Sequence, residues 1–167
     1  MEYFDVVDEE DKVVGQASRS ECHSNPELIH RSVQFFIFDE EGRVLVNQRS
    51  AGKEFFQSQW SIVLGGHVPA GESYLDAVRR EAWEEAKVKS TPFEMGYFKK
   101  RIPQEKENVK VYGFNTDGRV DLLADEIRCG EFMDVNALDE ITDTRDFIPE
   151  TKQLRRILAD YLKTNPE

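Results

Sequence analysis

A chain of 167 residues, 39% hydrophobic and 33% charged, has the length and composition of one globular domain with a real core. Its formal net charge of -11 argues against a surface built to grip a nucleic-acid backbone, and a polyphosphate ligand would need metal ions to supply positive charge. No apolar run reaches the roughly 18 residues of a membrane span, the acidic start MEYFDVVDEEDK does not read as a signal peptide, and Cys22 and Cys129 make no disulfide framework, so the expected setting is a reducing cytoplasm.

In chain order, residues 3–7 and 13–14 flank an acidic turn at 8–11 and read as a short edge hairpin, which could also seat a homodimer. The stretch 17–29 is irregular, with Ser18 or Ser20 able to start a helical turn and Pro26 able to break one. Residues 30–38, HRSVQFFIF, alternate and then become continuously apolar, as in a strand buried on both faces. A turn at 39–42, DEEG, leads to a partner strand at 43–49. A polar loop at 50–59 carries Lys53, Phe55 and Phe56, and 60–64 forms a strand. A Gly-rich loop at 66–72 then opens a helix at 73–86.

Strands at 94–102 and 106–114 follow, joined through Pro103 and Gln104. An acidic loop at 119–126, a strand at 129–135, a short helix at 137–141 and a terminal helix at 150–162 complete the chain. Leu154, Ile157, Leu158 and Tyr161 share one stripe of that last helix. Strands on both sides of a central helix suit an α/β/α sandwich around a mixed sheet. The expected organisation is a single domain over 1–167, with 1–29 as hairpin and loop and 30–162 as core.

The central helix contains REAWEE at 80–85, which sets Glu81, Glu84 and Glu85 at i, i+3 and i+4 on one face. Like charges at that spacing repel, so stability alone would not select them. A divalent cation reverses the sign, because hard cations take carboxylate oxygens. Leu75, Val78, Ala82 and Ala86 form a neighbouring apolar stripe, so one face can pack while the acidic face lines a site. Gly65 and Gly66 allow the backbone to come close to whatever the carboxylates hold. The competing reading is a solvated acidic face.

The wider spacing favours the site. Gly66, Glu72, Arg80, Glu81, Glu84 and Glu85 resemble the Nudix box, G-x5-E-x7-R-E-U-x-E-E-x-G-U, with U a bulky aliphatic residue. Two positions depart from it: Ala82 is small for U, and Lys87 stands where the family has a glycine that ends the helix. The resemblance implies the Nudix α/β/α fold. It also implies Mg²⁺- or Mn²⁺-dependent hydrolysis of a pyrophosphate bond in a small phosphorylated molecule, a nucleoside di- or triphosphate or a nucleoside-diphosphate derivative. Glu81, Glu84 and Glu85 would be metal ligands, joined by the Gly66 carbonyl. Arg80 would pair with Glu72 or a neighbouring carboxylate and orient it.

The chain has three histidines, His23, His30 and His67, and an E-x-E pair, Glu105 and Glu107. Together they resemble the metal site of type I isopentenyl-diphosphate isomerase, itself a Nudix-fold enzyme. That set would suit Zn²⁺ or Mn²⁺ better than Ca²⁺. The isomerase carries a cysteine two residues before the box histidine, where this chain has Gly65. Hydrolysis is therefore the expectation, with two alternatives: an isomerase lacking its usual cysteine, or a non-catalytic ligand sensor on the same fold. Arg49 and Lys53 could contact phosphate. Phe55, Phe56 and Trp60 could stack a base, although core packing suits them better. The run Lys99-Lys100-Arg101 could flank a pocket, although a solvated strand end suits it better.

Overall fold

The structure, a computed structural model, describes residues 1–165. The chain opens with an antiparallel hairpin, β1 (Tyr3–Val7) against β2 (Val13–Ser18). Asp11 turns it at φ 64°, a left-handed conformation that Asp tolerates better than most residues. The Asp11 carboxylate also fastens the hairpin down. It accepts from Arg31 Nε at 3.0 Å, Tyr74 Oη at 3.0 Å and Asn108 Nδ2 at 3.1 Å. The stretch expected to be irregular begins as a helix, α1 (Arg19–Ser24), because Ser18 and Glu21 complete a capping box.

A seven-stranded mixed sheet follows, built from β3 (His30–Phe38), β4 (Val44–Arg49), β5 (Trp60–Ser61), β6 (Leu64–His67), β7 (Phe93–Arg101), β8 (Lys106–Asn115) and β9 (Ile127–Met133). Its main order is β5-β4-β3-β8-β7, with β6 also on β3 and β9 on β4. Strand β3 runs parallel to β8 along its length, from His30 opposite Glu107 to Phe38 opposite Asn115. Its other edge is divided. Phe38 pairs with Val44 of β4, whereas Ser32, Val33, Gln34 and Phe35 pair with β6.

That division corrects the single strand expected at 60–64. Trp60 and Ser61 pair with β4, the chain crosses over at Ile62 and Val63, and β6 pairs with β3. The Asn47 amide holds the crossing by donating to Ser61 O at 3.3 Å and Val63 O at 3.1 Å. Gly66 and His67, expected in a loop, therefore lie on a strand. The parting of β3 from β4 opens the sheet beside them.

Helix α2 (Tyr74–Ala86) covers one face of the sheet; α3 (Leu138–Thr144) and α4 (Thr151–Thr164) belong to the other layer. Alternation along β3 feeds both layers. Val33, Phe35 and Ile37 pack with Val78, Ala82 and Ala86, while Phe36 and Phe38 pack with Leu154 and Leu158. Ala77, Ala82 and Ala86 are fully buried, so the small Ala82 sits in the closest part of the helix–sheet contact. Leu75, expected on the buried stripe, is 40% exposed; Tyr74, one turn before Val78, packs against the core in its place. The second face of β3 is apolar only at Phe36 and Phe38. Its other half carries His30, Ser32 and Gln34, and that polar half has a site to line.

The helix ends where a glycine was missing. Lys87 adopts φ 56° and ψ 36°, and its amide donates to Trp83 O at 3.1 Å. A side chain in that conformation costs roughly 1–2 kcal/mol, more than the flexibility a glycine adds to the unfolded chain. Lys87→Gly should therefore raise the unfolding free energy by about 0.5–1 kcal/mol in urea denaturation. An unchanged or lower value would mean that the Lys87 ammonium, 4.8 Å from the Trp83 ring centre, offsets the backbone strain.

Candidate active site

Where β3 and β4 part lies a cavity of about 540 Å³, within the range of roughly 300–1,000 Å³ used for small ligands. Gly66, Arg80, Glu81, Glu84 and Glu85 line it, as do His67, Lys100, Glu105 and Glu107. Arg49, Lys53, Phe55, Glu126 and Glu150 complete the parts of the wall that bear on chemistry.

On α2, Arg80 acts as a clamp. Its guanidinium forks onto both oxygens of Glu72 at 3.1 and 3.2 Å, reaches Glu81 Oε1 at 2.8 Å and Glu84 Oε2 at 3.2 Å, and donates to His67 O at 3.4 Å. Gly66 is required by the approach of Glu81: a Cβ there would come within 2.3 Å of the Glu81 carboxyl carbon. Glu85 is only 6% exposed, and burial together with the nearby Glu81 charge pushes its carboxyl well above the ordinary range. Burial also raises Glu81, with Arg80 pulling the other way. Glu84 stays half-exposed. Three oxygen donors crowd one side of the cavity, and Glu81 and Glu85 among them resist ionising. A hard divalent cation relieves that resistance.

The histidines gather from three separate elements. His23 comes from α1, His30 starts β3, and His67 ends β6; their ring centroids lie 5.1–5.6 Å apart. The parallel register puts His30 beside Glu107, and the β3–β6 register puts His67 beside Ser32. His67 Nε2 lies 3.1 Å from Glu107 Oε1 and 3.5 Å from Glu105 Oε1. His30 Nε2 is 3.2 Å from Glu107 Oε1, and His23 Nε2 is 3.7 Å from Glu105 Oε1.

Ligands about 2.1 Å from an ion sit about 3.0 Å apart at right angles and about 4.2 Å apart when opposite. The donor atoms fall in two groups that share His67, His23 with His30 and Glu105 with Glu107, each group within 4.8 Å, and His23 Nε2 and His30 Nε2 are buried with no well-aligned hydrogen bond despite the nearby carboxylates. A mixed nitrogen and carboxylate set of this kind fits Zn²⁺ or Mn²⁺. Phe4, fully buried, roofs the cluster: its ring stacks on His30 at 5.0 Å and lies 4.9 Å from His67.

Arg49 and Lys53 both reach the cavity wall. Arg49 donates to Phe55 O at 3.1 Å and keeps a buried Nε without a partner; Lys53 pairs with Glu126. Phe55 and Phe56 both line the cavity, Phe55 against His23, and Phe56 and Trp60 also pack on the core. The basic run divides between its two readings. Lys99 and Arg101 pair with Glu9 outside, but Lys100 is 7% exposed and turns into the cavity. Phe98 packs on the core two residues earlier, and period-two alternation from it would have placed Lys100 inside. Glu126, Glu150 and Phe4 were also missed, and no local pattern marks them.

The family model of the NUDIX domain matches residues 28–154. An uncharacterized Nudix hydrolase of Streptomyces coelicolor is 46% identical over 91 residues, covering 54% of this chain and 50% of that protein. The uncharacterized Nudix hydrolase YfcD of Escherichia coli is 36% identical over 113 residues, covering 67% of this chain and 60% of its own length. This chain thus spans little more than half of those relatives. The crystal structure of DR0079 from Deinococcus radiodurans superposes with a TM-score of 0.81 at 27% identity, over 93% of this chain and 98% of that one. The NUDIX domain of Shewanella oneidensis NrtR, solved with ADP-ribose, shares the fold with a TM-score of 0.63 at 15% identity, over 87% and 99% of the two chains. A family match running from before β3 into α4, on a chain with this box and this layered sheet, makes the protein a member of the Nudix family.

Proposed function

We propose that the chain is a divalent-metal-dependent Nudix hydrolase. Its substrate is a small molecule with a pyrophosphate bond, a nucleoside di- or triphosphate or a nucleoside-diphosphate derivative. The observation that carries this reading is the box itself: Glu81, Glu84 and Glu85 converge on one cavity around a glycine that leaves room for no side chain. Mg²⁺ or Mn²⁺ held by these carboxylates and the Gly66 carbonyl would neutralise phosphate charge and acidify water. Arg80 fixes the carboxylates through its fork on Glu72. Arg49 and Lys53 offer positive charge to the phosphates, with Lys53 exchanging Glu126 for a phosphate oxygen. His23, His30, His67, Glu105 and Glu107 would hold a second ion, Zn²⁺ or Mn²⁺. Cys22 and Cys129 are unpaired, which suits a cytoplasmic setting.

Gly65 supports hydrolysis over isomerisation. A Cβ at this position would come within 2.4 Å of Val33 O, so the backbone leaves no place for the isomerase's cysteine. The complete carboxylate set, clamped by Arg80, likewise supports an enzyme over a sensor.

Replacing Glu84 and Glu85 together by Gln should lower kcat/KM for Mg²⁺-dependent phosphate release at least about 100-fold, with an unchanged circular dichroism spectrum. The assay is a nucleotide and nucleotide-sugar panel run with Mg²⁺, Mn²⁺ and Zn²⁺. Parent-like turnover by the double variant would remove the assigned roles. A second prediction concerns the metal-free protein. Burial alone would lower the His67 pKa, but its bonds to Glu105 and Glu107 outweigh that and raise it from 6.5 to about 9. The folded state thus binds this proton more tightly than the unfolded chain. The resulting stability is complete below about pH 6.5 and drains away as pH rises through about 9. In excess chelator the thermal midpoint should fall across that window, and His67→Gln should flatten the fall. An equal fall in both proteins would move the effect to another group.

A further inference from the structure

We propose that Lys100 is a positioning residue for the His/Glu centre, holding the outer oxygen of Glu105 directly and attracting that of Glu107, which Ser32 holds, so that their inner oxygens face the imidazoles; the inference rests on reading that centre as a metal site. The two carboxylates are divided in the same way. Glu105 Oε1 faces His23 and His67, and Glu107 Oε1 faces His30 and His67. The opposite oxygens face away from the histidines. Lys100 Nζ lies 2.8 Å from Glu105 Oε2 and 3.9 Å from Glu107 Oε2, and Ser32 Oγ donates to Glu107 Oε2 at 3.0 Å. Among the described residues, no other lysine or arginine forms an ion pair with either carboxylate.

The charge inventory supports a role for the ammonium beyond filling space. Two carboxylates with neutral imidazoles match one divalent ion. A further buried cation would oppose that ion, but Glu150 Oε2 lies 2.9 Å from Lys100 Nζ and is 4% exposed. Glu150 therefore balances Lys100 and leaves the centre's charge to the metal. Burying an ammonium is costly unless its partners are this close. Gln34 fixes the arrangement from below, donating from Nε2 to Glu150 Oε2 at 3.0 Å. The bland alternative is that Lys100 only pins Glu150, and with it the start of α4.

Co²⁺ binding to the full chain separates the two. Metal-stripped protein is titrated with Co²⁺, following visible absorption and competition with a chromophoric chelator. His30→Ala supplies the reference without the centre. The proposal expects Lys100→Met to weaken the His30-dependent Co²⁺ site by about 10- to 100-fold and to alter its absorption band, as loss of a ligand-orienting partner does. Lys100→Arg should restore most of both. Glu150→Gln, which leaves the ammonium uncompensated, should weaken Co²⁺ roughly tenfold and serves if Lys100→Met does not fold. Affinity within twofold of the parent and an unchanged band, in Lys100→Met or, failing that, in Glu150→Gln, would overturn the proposal. A parent with no His30-dependent band would overturn the metal reading itself, a different result from a parent that binds while the variants match it.

Discussion

Negative charge held in a partly closed cavity is the constraint around which this molecule is arranged. Glu81, Glu84 and Glu85 approach from α2, Glu105 and Glu107 from the β7–β8 side, and Glu126 and Glu150 from connecting segments. Such carboxylates repel one another more strongly than they would in water, because the surrounding dielectric is low. The protein supplies fixed cations at three points: Arg80 for the box, Lys53 for Glu126, and Lys100 for Glu105 and Glu150. What these leave unbalanced appears as displaced pKa values. Burial drives Glu85 and Glu81 up, each helped by a neighbouring carboxylate, and bonds to Glu105 and Glu107 raise His67.

The fold creates this crowding through one irregularity in the sheet. Had β3 paired with β4 along its whole length, His30, Ser32 and Gln34 would have faced a closed layer. Instead β4 meets β3 only at Phe38, and the chain crosses from β4 to β3 through Ile62 and Val63. That crossing brings Gly65, Gly66 and His67 onto β3. It places the box carboxylates on the wall of one cavity together with His67, Glu105 and Glu107, while His23 and His30 pack against His67. The two glycines are demanded by close approach rather than by turn geometry: Gly65 lies against Val33 O, and Gly66 lies against the Glu81 carboxyl.

Much of this could be read from residues alone, for identifiable reasons. The β3 stretch is long and apolar enough that both its faces had to be buried, and the spacing of the box glutamates is fixed by helical geometry. The sharing of one cluster by His23, His30, His67, Glu105 and Glu107 was legible only through a family resemblance, since the parallel pairing of His30 with Glu107 joins residues 77 positions apart in register. What remained hidden depends on partners distant in sequence. The break at Ile62 and Val63 is decided by Asn47, the burial of Lys100 by Glu105 and Glu150, and the exposure of Leu75 by Tyr74 taking its place. Of these, only Lys100 leaves a local periodic trace, its period-two offset from Phe98.

The N-terminal hairpin shows how the peripheral parts serve the centre. By composition it is an acidic edge ribbon, and Glu9 and Asp11 look like solvated turn charges. In the fold Glu9 takes Lys99 and Arg101, which ties the outer face of β7 to the hairpin. Asp11 binds Arg31, Tyr74 and Asn108, one residue each from β3, α2 and β8. With the ribbon held at those points, Phe4 closes over His30 and His67, and α1 brings His23 into the cluster. The hairpin and α1 thus supply one histidine and the roof of the proposed second metal centre, although neither carries any part of the box. Substitutions at Glu9 or Asp11 would therefore act on the His/Glu cluster by loosening its cover, and would reach the box through Tyr74 at the start of α2 and through the hairpin's bonds to the box loop, Gly71 N to Asp5 Oδ2 and Ala70 N to Tyr3 O.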